Sequence, residues 1–522
     1  MSATEDTRRR RWTRAAGLGL GLFLGATLAS ANGRYPYAQQ LLVDPGDPNR
    51  LWLRATYGLL TSPDGGQSWD WICEAAVGYS TQEDPMLAIT ADGKVLVAAV
   101  EGVLVSPDHG CSWSASPGIG NRYVRDLAVE GDGKHVLALT TVTEQNGNYD
   151  LVVYRSDEAA ESFARVGQVS QDLIGLTIDP APSDSKRIYV TGTVWPYAAA
   201  AAHDDAGASR PDASLTTANA PGLLVRSRDG GVTWDRRVVA GASIEKPPFI
   251  AAVHPTNPDI LYVRIQGAPA PPGHTVESTL VYTEDAGETW KELFRGSADM
   301  LGFSLSADAQ EIRIGLGSVQ NPADMSSGRQ VDPSALGIYR ATAPDFSFTP
   351  LLRGQVGCLT DGAPGLYVCG SHENDHFELA KSADDGQTVS PLYDLAGARG
   401  VLACPKTTTT ALMCTDQWQY VCGQVGKCTT ATTATADAGG KGGSANATSK
   451  TSGGCGCSTP GSSKNTPSSQ PSAIGTVRQN LLPESFEPFM VASAVMAWFA
   501  RRRKRSESRT SLPSRFRPGS HS

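Results

Sequence analysis

Short apolar runs with β-strand character recur along the chain, and clusters of turn-forming residues separate them. Examples of these runs are residues 57–61, 102–105, 151–154, 222–225 and 280–282. Short strands that alternate with turns rich in Gly, Asp and Pro are typical of consecutive β-hairpins. The pattern therefore predicts an all-β protein.

The turn that follows these runs is a repeated octet, Ser/Thr-x-Asp-x-Gly-x-Ser/Thr-Trp. Near-complete copies contain Asp64 and Trp69, Asp108 and Trp113, Asp229 and Trp234, and Asp285 and Trp290. A further copy contains Asp384 but has Val389 in place of tryptophan, and degraded copies are residues 156–163 and a stretch ending at Phe348. We expect each aspartate to accept backbone N–H bonds, each glycine to adopt a positive φ, and each tryptophan to anchor the next strand. These roles are structural.

A second repeat alternates with the octets. It consists of a strand, a turn rich in Gly, Asp or Pro, and another strand, in residues 42–52, 89–97, 129–137, 178–190, 253–263, 305–312 and 358–368. Each copy fits the first hairpin of a propeller blade. The alternation predicts a seven-bladed β-propeller of four-stranded antiparallel blades. The alternative is an eighth blade, built from residues 400–428 with an outer strand from residues 34–39.

The octets resemble the Asp-box, or BNR, repeat of sialidases, sortilin-like receptors, xyloglucanases and photosystem assembly factors. The resemblance covers about residues 41–400. It implies that each octet closes the hairpin between the third and fourth strands of a blade. The first hairpins and the octets then open on one face, which we call the octet face. The loops between second and third strands and the connections between blades open on the opposite face, which we call the loop face.

The segments outside the repeats predict export and surface retention. We divide the chain into a signal peptide (1–31), the propeller (32–400), a Cys-rich closing segment (401–430), a low-complexity linker (431–480) predicted to be disordered, and a short hydrophobic and basic tail (481–522). The basic start, apolar run and small-residue site of residues 8–31 are typical of a secretory signal.

The order of Cys455 and Cys457, the apolar run 489–500 and the basic cluster 501–505 is similar to the sorting tail of secreted myxobacterial proteins. The similarity implies processing near those cysteines and an extracellular or outer-surface location. The alternative is a disordered tail that associates weakly with membranes.

Charge makes nucleic acid an improbable partner. The formal net charge is −8; residues 1–31 contribute +3 and the residues after 457 contribute +7, which leaves −18 for the remainder. An acidic surface repels phosphate backbones. We expect a monomer that binds a protein or a glycan.

The cysteines of an exported protein predict disulfides more than metal ligation. Local pairs are expected between Cys358 and Cys369, Cys404 and Cys414, and Cys422 and Cys428, with Cys73 and Cys111 joining neighbouring blades. The histidines are scattered and no metal-binding motif is present, so we expect neither a metal nor a cofactor.

The long loops predict where a ligand binds. They comprise residues 143–150, 195–221, 267–277, 318–334 and 371–376. Long loops on a rigid scaffold commonly carry recognition, although solvated decoration is the alternative. His372, Glu373, Asp375 and His376 are candidate ligands of a weak cation site, for which a solvated loop is the simpler interpretation.

Catalysis is the alternative function, because the octet is found in sialidases. A sialidase-like glycoside hydrolase requires converging arginines, a Tyr–Glu nucleophile pair and an acid carboxylate. Arg54, Arg155, Arg226 and Arg264 lie near strands, but Arg-Ile-Pro is absent and structural ion pairing explains most of them. We therefore predict no catalytic residues and a non-catalytic binding or scaffold module that acts through the loop face.

Overall fold

The computed structural model describes residues 36–81, 83–143, 149–195, 220–267, 275–318, 331–362 and 365–424. Within these ranges the chain forms seven β-sheets, each with four consecutive antiparallel strands; the first sheet has in addition a fifth strand, which is parallel. The sheets are the blades of a β-propeller, which confirms the predicted fold. All described residues belong to one compact unit.

The strands are numbered along the chain, four to a blade, with the innermost strand first. Blades 1 to 4 consist of β1 (Ala38–Val43), β2 (Leu51–Ala55), β3 (Gly58–Ser62), β4 (Trp69–Ile72); β5 (Leu87–Ile89), β6 (Val95–Ala99), β7 (Gly102–Ser106), β8 (Ser114–Ala115); β9 (Tyr123–Val129), β10 (Val136–Thr143), β11 (Tyr149–Ser156), β12 (Ala164–Ser170); β13 (Leu173–Ala181), β14 (Asp184–Val194), β15 (Pro221–Ser227), β16 (Asp235–Ser243). Blades 5 to 7 consist of β17 (Pro248–Val253), β18 (Leu261–Ile265), β19 (Ser278–Thr283), β20 (Lys291–Gly296); β21 (Asp299–Leu305), β22 (Glu311–Gly317), β23 (Gly337–Thr342), β24 (Thr349–Arg353); β25 (Cys358–Gly362), β26 (Gly365–Cys369), β27 (Leu379–Ser382), β28 (Ser390–Tyr393).

The middle strands are apolar on both faces because neighbouring blades cover both. Every residue of β2, β3, β6 and β7 is buried. A strand that is covered on one face only would alternate apolar and polar residues. The continuous apolar runs in the sequence therefore reflect packing of blade against blade. Hydrophobic clusters accordingly contain residues of adjacent blades.

The octets form hydrogen-bonded turns between the third and fourth strands. In blade 1, Asp64 Oδ1 accepts the Ser68 backbone N–H at 2.9 Å and the Ser62 hydroxyl at 2.8 Å. Asp108, Asp229, Asp285 and Asp384 accept the equivalent N–H at 2.7 to 2.9 Å. The glycine of each of these octets has φ between 93° and 96°. Hydrogen bonds from Thr233, Thr289 and Thr388 lower the pKa of Asp229, Asp285 and Asp384, respectively, to about 2.

The octet tryptophans differ in their surroundings. Trp69 and Trp113 are buried, and Trp234 and Trp290 are half-buried. The indole N–H of Trp69, Trp113 and Trp234 donates to the carbonyl of the octet glycine at 3.0 to 3.1 Å. Trp290 instead donates to the Val238 carbonyl of blade 4 at 3.0 Å. The same sequence position therefore anchors its own turn in some blades and the neighbouring blade in another.

Side chains of the inner strands join one blade to the next. Gln40 exchanges two hydrogen bonds of 3.0 Å with the backbone of Leu87 in blade 2. Asp126 accepts the N–H of Ile178 at 2.9 Å, and Thr177 accepts the N–H of Ile250 at 3.0 Å. Each of these residues follows a β-bulge in its inner strand. A bulge leaves one residue unpaired and bends the strand.

The ring is closed by chain that follows blade 7. Residues Ala398–Val401 form β29, which pairs in parallel with β4 as a fifth strand of blade 1. A helix follows at Thr409–Gln424 (α3 below), so residues 400–424 do not form the alternative eighth blade. Arg399 on β29 also pairs with Asp70 on β4.

Two of the predicted disulfide pairings are wrong. Cys414 pairs with Cys73 and Cys404 pairs with Cys111, so Cys404 and Cys414 do not join each other and neither do Cys73 and Cys111. Both bridges attach the closing segment to blades 1 and 2, which the sequence spacing does not reveal. The Cys358–Cys369 pair forms as predicted. Cys422 is also disulfide-bonded, whereas Cys428, Cys455 and Cys457 lie outside the described residues.

Helices are few in the described ranges. They are α1 (Glu74–Val77), α2 (His372–Asp375) and α3 (Thr409–Gln424), with 3₁₀ turns at Pro333–Ala335 and Leu395–Gly397. Among the residues described, no helix combines the length and the apolar character needed to cross a membrane.

Candidate functional site

The described part of the loop face lies at the strand ends that flank the long insertions. Residues 144–148, 196–219, 268–274 and 319–330, which include most of the predicted recognition loops, lie outside the described residues. Within each blade, the innermost strand starts at the loop face and runs towards the octet face. The first residues of the inner and third strands, and the last residues of the second strands, therefore mark the loop face.

Aromatic and arginine side chains are concentrated at these positions in blades 3 to 5. We define the loop-face cluster as Tyr123, Arg125, Tyr149, Trp195, Phe249 and Arg264. All six side chains are half-buried. Arg264 was a candidate arginine in the sequence, and Tyr149 and Trp195 lie in two of the predicted recognition loops. Tyr123, Arg125 and Phe249 lie within strands and had no such signal.

A β-bulge positions Arg125. In blade 3, Asp126 pairs with Leu139 and Val124 pairs with Thr140, so Arg125 has no partner in the register. Its Nε donates to the Gly175 carbonyl of blade 4 at 3.0 Å, and its guanidinium lies 5.0 Å from the centre of the Tyr123 ring. Its terminal nitrogens have no hydrogen-bond partner among the described residues. Arg125 is thus fixed at one edge while two nitrogens remain available to a ligand.

Arg264 is held in a similar way between blades 5 and 6. Its Nη1 donates to the Met300 carbonyl at 2.8 Å, beside the bulge of β21. Its guanidinium lies 5.3 Å from the centre of the Phe249 ring on the paired strand. Nε and Nη2 have no hydrogen-bond partner in the described part of the chain. Burial lowers the pKa of Arg264 from its ordinary value.

The two arginines act on the same buried carboxyl group. Asp126 is 6% exposed, and burial raises its pKa to about 7. Hydrogen bonds from Ile178 and Leu127 and the charges of Arg125 and Arg264 oppose this rise. Burial also raises the pKa of Tyr149, which the nearby charge of Arg125 opposes. Tyr149 contacts Trp195 edge to face with centroids 5.4 Å apart. Arg125 and Arg264 thus act through their charges on Asp126, and the charge of Arg125 also acts on Tyr149, which contacts Trp195.

The other predicted arginines have structural partners. Arg54 donates to backbone carbonyls of Asp84 and Pro85 at the entry to blade 2. Arg155 pairs with Glu130 at 3.1 Å. Arg226 is 2% exposed and pairs with Asp235 and with Glu288 of blade 5. These three side chains hold strands and blades together, as the sequence analysis expected for most of the arginines.

A buried Tyr–Glu pair exists, but at the contact between blades 7 and 1. The Tyr57 hydroxyl donates to Glu378 and lies 3.0 Å from the Tyr393 hydroxyl. Glu378 is fully buried, and burial raises its pKa to about 8. Burial and the Glu378 carboxylate raise the pKa of Tyr57 well above its usual value. A protonated carboxyl is a poor base and a high-pKa phenol is a poor nucleophile.

We predict that Glu378→Gln removes a pH dependence of stability. Because the pKa of Glu378 is higher in the folded than in the unfolded protein, its stabilising effect is complete below about pH 4.5 and is lost as the pH rises through about 8. In chemical denaturation between pH 5 and 8.5, the unfolding free energy of the wild type should fall by on the order of 1 kcal/mol per pH unit relative to that of Glu378→Gln. The exposed Glu245→Gln variant is the control and should follow the wild type. Parallel curves for wild type and Glu378→Gln would contradict the prediction.

The blade-7 loop is held by its own backbone. Ser371 caps α2 by accepting the Asn374 N–H, and Asp375 accepts the N–H groups of Ser371 at 3.0 Å and Gln355 at 3.1 Å. These bonds use the Asp375 carboxylate to fix the loop. Among the described residues no group of three or more His, Cys, Asp or Glu side chains is arranged to hold a metal ion.

Comparisons with known proteins find structural likeness only. No protein-family model matches the chain, and no curated protein matches it significantly. The structure is similar to that of an ancestral GH74 enzyme, with 13% sequence identity, a TM-score of 0.47 and coverage of 69% of this chain and 46% of that one. It is also similar to YCF48 from Cyanidioschyzon merolae, with 12% identity, a TM-score of 0.39 and coverage of 65% and 94%. A third similar structure is an extracellular domain of a hybrid two component system from B. thetaiotaomicron, with 10% identity, a TM-score of 0.41 and coverage of 66% and 38%.

The chain spans about half the length of the ancestral GH74 enzyme. At these identities and TM-scores, the likeness carries no information about activity or ligand.

Proposed function

We propose that the protein is an exported, non-catalytic propeller that binds a glycan or a protein through its loop face. The loop-face cluster carries this proposal, because it combines half-buried aromatic rings with two arginines, each of which keeps two guanidinium nitrogens without a partner among the described residues. Binding sites commonly pair apolar aromatic area with a few placed polar groups. The rings of Tyr149 and Trp195 offer the apolar area, and Arg125 and Arg264 offer the donors.

Catalysis by a sialidase-like hydrolase is the alternative, and the polar groups of the described residues favour binding. Tyr57 and Glu378 have pKa values that oppose nucleophile activation, and they lie between blades 7 and 1 rather than with Arg125 and Arg264. Glycan processing requires paired carboxyl groups with contrasting protonation at one site. Asp126 and the neighbouring Asp179 do not provide this contrast, because burial raises the pKa of both carboxyl groups.

Export and retention belong to the same proposal. Disulfides persist in oxidising compartments outside the cytoplasm, and three are formed between described cysteines. We propose in addition that the octets are Asp-box repeats, that residues 1–31 are a signal peptide, and that the tail retains the protein at the outer surface after processing near Cys455 and Cys457. Nucleic acid is not an expected ligand because the chain is acidic.

Binding and catalysis are separated by one set of measurements on the mature domain. We expect at least one member of a labelled glycan panel to bind without being hydrolysed. Tyr149→Ala should weaken that binding about tenfold, since loss of a stacked aromatic ring costs on the order of 1–2 kcal/mol. Tyr420→Ala is the control, because Tyr420 is 80% exposed on α3 and lies outside the cluster. Turnover of the bound glycan would favour the hydrolase, and equal losses in both variants would contradict this site.

A further inference from the structure

Two guanidinium groups in the loop-face cluster share an uncommon arrangement. Each is fixed by a backbone carbonyl of the next blade, through Arg125 Nε to Gly175 and through Arg264 Nη1 to Met300. Each also lies against an aromatic ring of its own blade. The side chains are therefore ordered before a ligand arrives, which reduces the entropy lost on binding.

The arrangement differs from that of the structural arginines. Arg226 uses Nε, Nη1 and Nη2 on Asp235, Glu288 and the Ala286 carbonyl. Arg313 pairs with Glu311, Asp361 and Asp385. Arg125 and Arg264, by contrast, have no ion pair with a described carboxylate. Asp126 and Asp299 act on Arg264 only through their charges, without a hydrogen bond.

We propose that Arg125 and Arg264 form a subsite for the carboxylate of an acidic glycan, such as a uronic acid residue. This inference rests on the proposed function and names the chemical class of its ligand. The free Nη1 and Nη2 of Arg125 form a fork that fits the two oxygens of a carboxylate. The free Nε and Nη2 of Arg264 form a similar edge. Tyr149 and Trp195 provide ring surface beside the charged subsite for the sugar itself.

Buried carboxyl groups near the two arginines set the pH range in which an anionic ligand binds. Asp126 Oδ2 accepts the Ile178 N–H of blade 4, and its Oδ1 accepts the N–H of Leu127 on its own strand. Its pKa of about 7 means that much of its negative charge is absent near neutral pH. Asp299, which is fully buried at the start of β21, also acts on Arg264 through its charge. Asp179 interacts with Asp126, and burial raises the pKa of Asp179 well above its ordinary value. Binding should therefore weaken as the pH rises above about 7, because ionised Asp126 competes for the two arginines.

The test compares acidic glycans with carboxyl-reduced forms of the same glycans. Oligogalacturonate, hyaluronan oligosaccharide and alginate oligosaccharide are titrated calorimetrically beside their carboxyl-reduced counterparts. We expect at least one acidic form to bind about tenfold or more tightly than its reduced form. Arg125→Gln and Arg264→Gln should each remove that difference. Dextran sulfate against dextran tests whether a sulfate can replace the carboxylate.

Matched variants separate a built subsite from general charge attraction. Arg399→Gln changes the net charge equally, but Arg399 lies on β29 at the outer edge of blade 1 and pairs with Asp70. It should leave the acidic preference intact. Arg125→Lys retains the charge without the fork and should lose most of the preference. Thermal unfolding establishes that each variant is folded, and Lys substitution provides a second test if Gln disrupts the fold.

The outcomes distinguish the two proposals. Equal binding of acidic and reduced glycans overturns the carboxylate subsite while leaving glycan binding in place. Preference for sulfate alone, or an equal effect of Arg399→Gln, also overturns it. Absence of binding to every glycan in both panels overturns the subsite and removes the glycan form of the proposed function.

Discussion

Removing both disulfides that join the closing segment to blades 1 and 2 should destabilise the protein by more than the sum of the two single removals. The Cys73–Cys414 and Cys111–Cys404 bridges span 341 and 293 residues, respectively. With either bridge present, the second closes only a remaining loop of roughly 50 residues, worth about 4 kcal/mol by chain entropy. When neither bridge is present, the first bridge to form must close a loop that comprises the whole ring. Loss of both should therefore cost up to about 10 kcal/mol.

Urea unfolding of serine variants tests this prediction. Each single pair, replaced as Cys73→Ser with Cys414→Ser or Cys111→Ser with Cys404→Ser, should lower the unfolding free energy by up to about 4 kcal/mol. Replacing Cys358 and Cys369, which are 11 residues apart, provides the control for a local bridge. Loss of this local bridge should lower the unfolding free energy by about 3 kcal/mol, whether or not the other bridges are present. Strict additivity of the two closing pairs would show that they do not act on one ring.

Hydrogen exchange should locate the effect. β29 pairs with β4 only at the edge of blade 1, and α3 is attached through Cys414. Without the two bridges, we expect exchange to increase first in β29, in α3 and in the blade-7 strand β28. These elements hold the two ends of the propeller together, and the bridges add covalent links to hydrogen bonds such as those of Thr410 and Arg399. Unchanged exchange there, with increased exchange in blades 3 to 5, would contradict this mechanism.

Replacement of equivalent octet tryptophans should have unequal effects. Trp69→Ala is expected to cost about 3–5 kcal/mol, as large-to-small substitutions in cores do. Trp69 is 2% exposed, contacts Tyr393 of blade 7 with centroids 5.2 Å apart, and pairs through its backbone with Ala398. Its loss therefore opens a cavity where the ring closes.

Trp290→Ala is the matched comparison and should cost about 2 kcal/mol or less. Trp290 is half-buried, and its indole N–H donates to the Val238 carbonyl, which belongs to an exposed residue of blade 4. The changes in unfolding free energy caused by Trp69→Ala and Trp290→Ala are both obtained from equilibrium urea unfolding at one pH. Equal losses would mean that the octet turn itself, rather than the packing around each tryptophan, sets the energetic contribution.

Several features of the loop-face cluster had no strong sequence signal. Arg125 looked like one residue of an ordinary strand, and only the bulge opposite Leu139 and Thr140 separates it from the regular register. Tyr123, Tyr149 and Phe249 lie far apart in sequence. The radial order of the blades brings their strand ends to one region of the loop face. A repeat pattern predicts blades, but it does not predict which insertions leave aromatic residues half-buried beside them.

The disulfide pairings also show which contacts the sequence spacing does not predict. Cys358 and Cys369 face each other across adjacent strands of one hairpin, so short spacing identified the pair. Cys404 and Cys414 are also closely spaced, yet each bonds to a cysteine that is about 300 residues away. Only circular closure brings the end of the chain against blades 1 and 2. Local spacing contains no information about that contact.

The sequence by itself determined the blade, because its octets, first hairpins and continuous apolar strands depend on local turn geometry and on burial of both sheet faces. Asp64 and its equivalents accept the predicted hydrogen bonds within their own turns. The tertiary structure alone decided how the ring closes and which blades bring the charges of Arg125 and Arg264 to act on the same buried carboxyl group. Those features depend on contacts between residues of different blades. The contacting residues are distant in sequence and come together only when all seven blades pack around one axis.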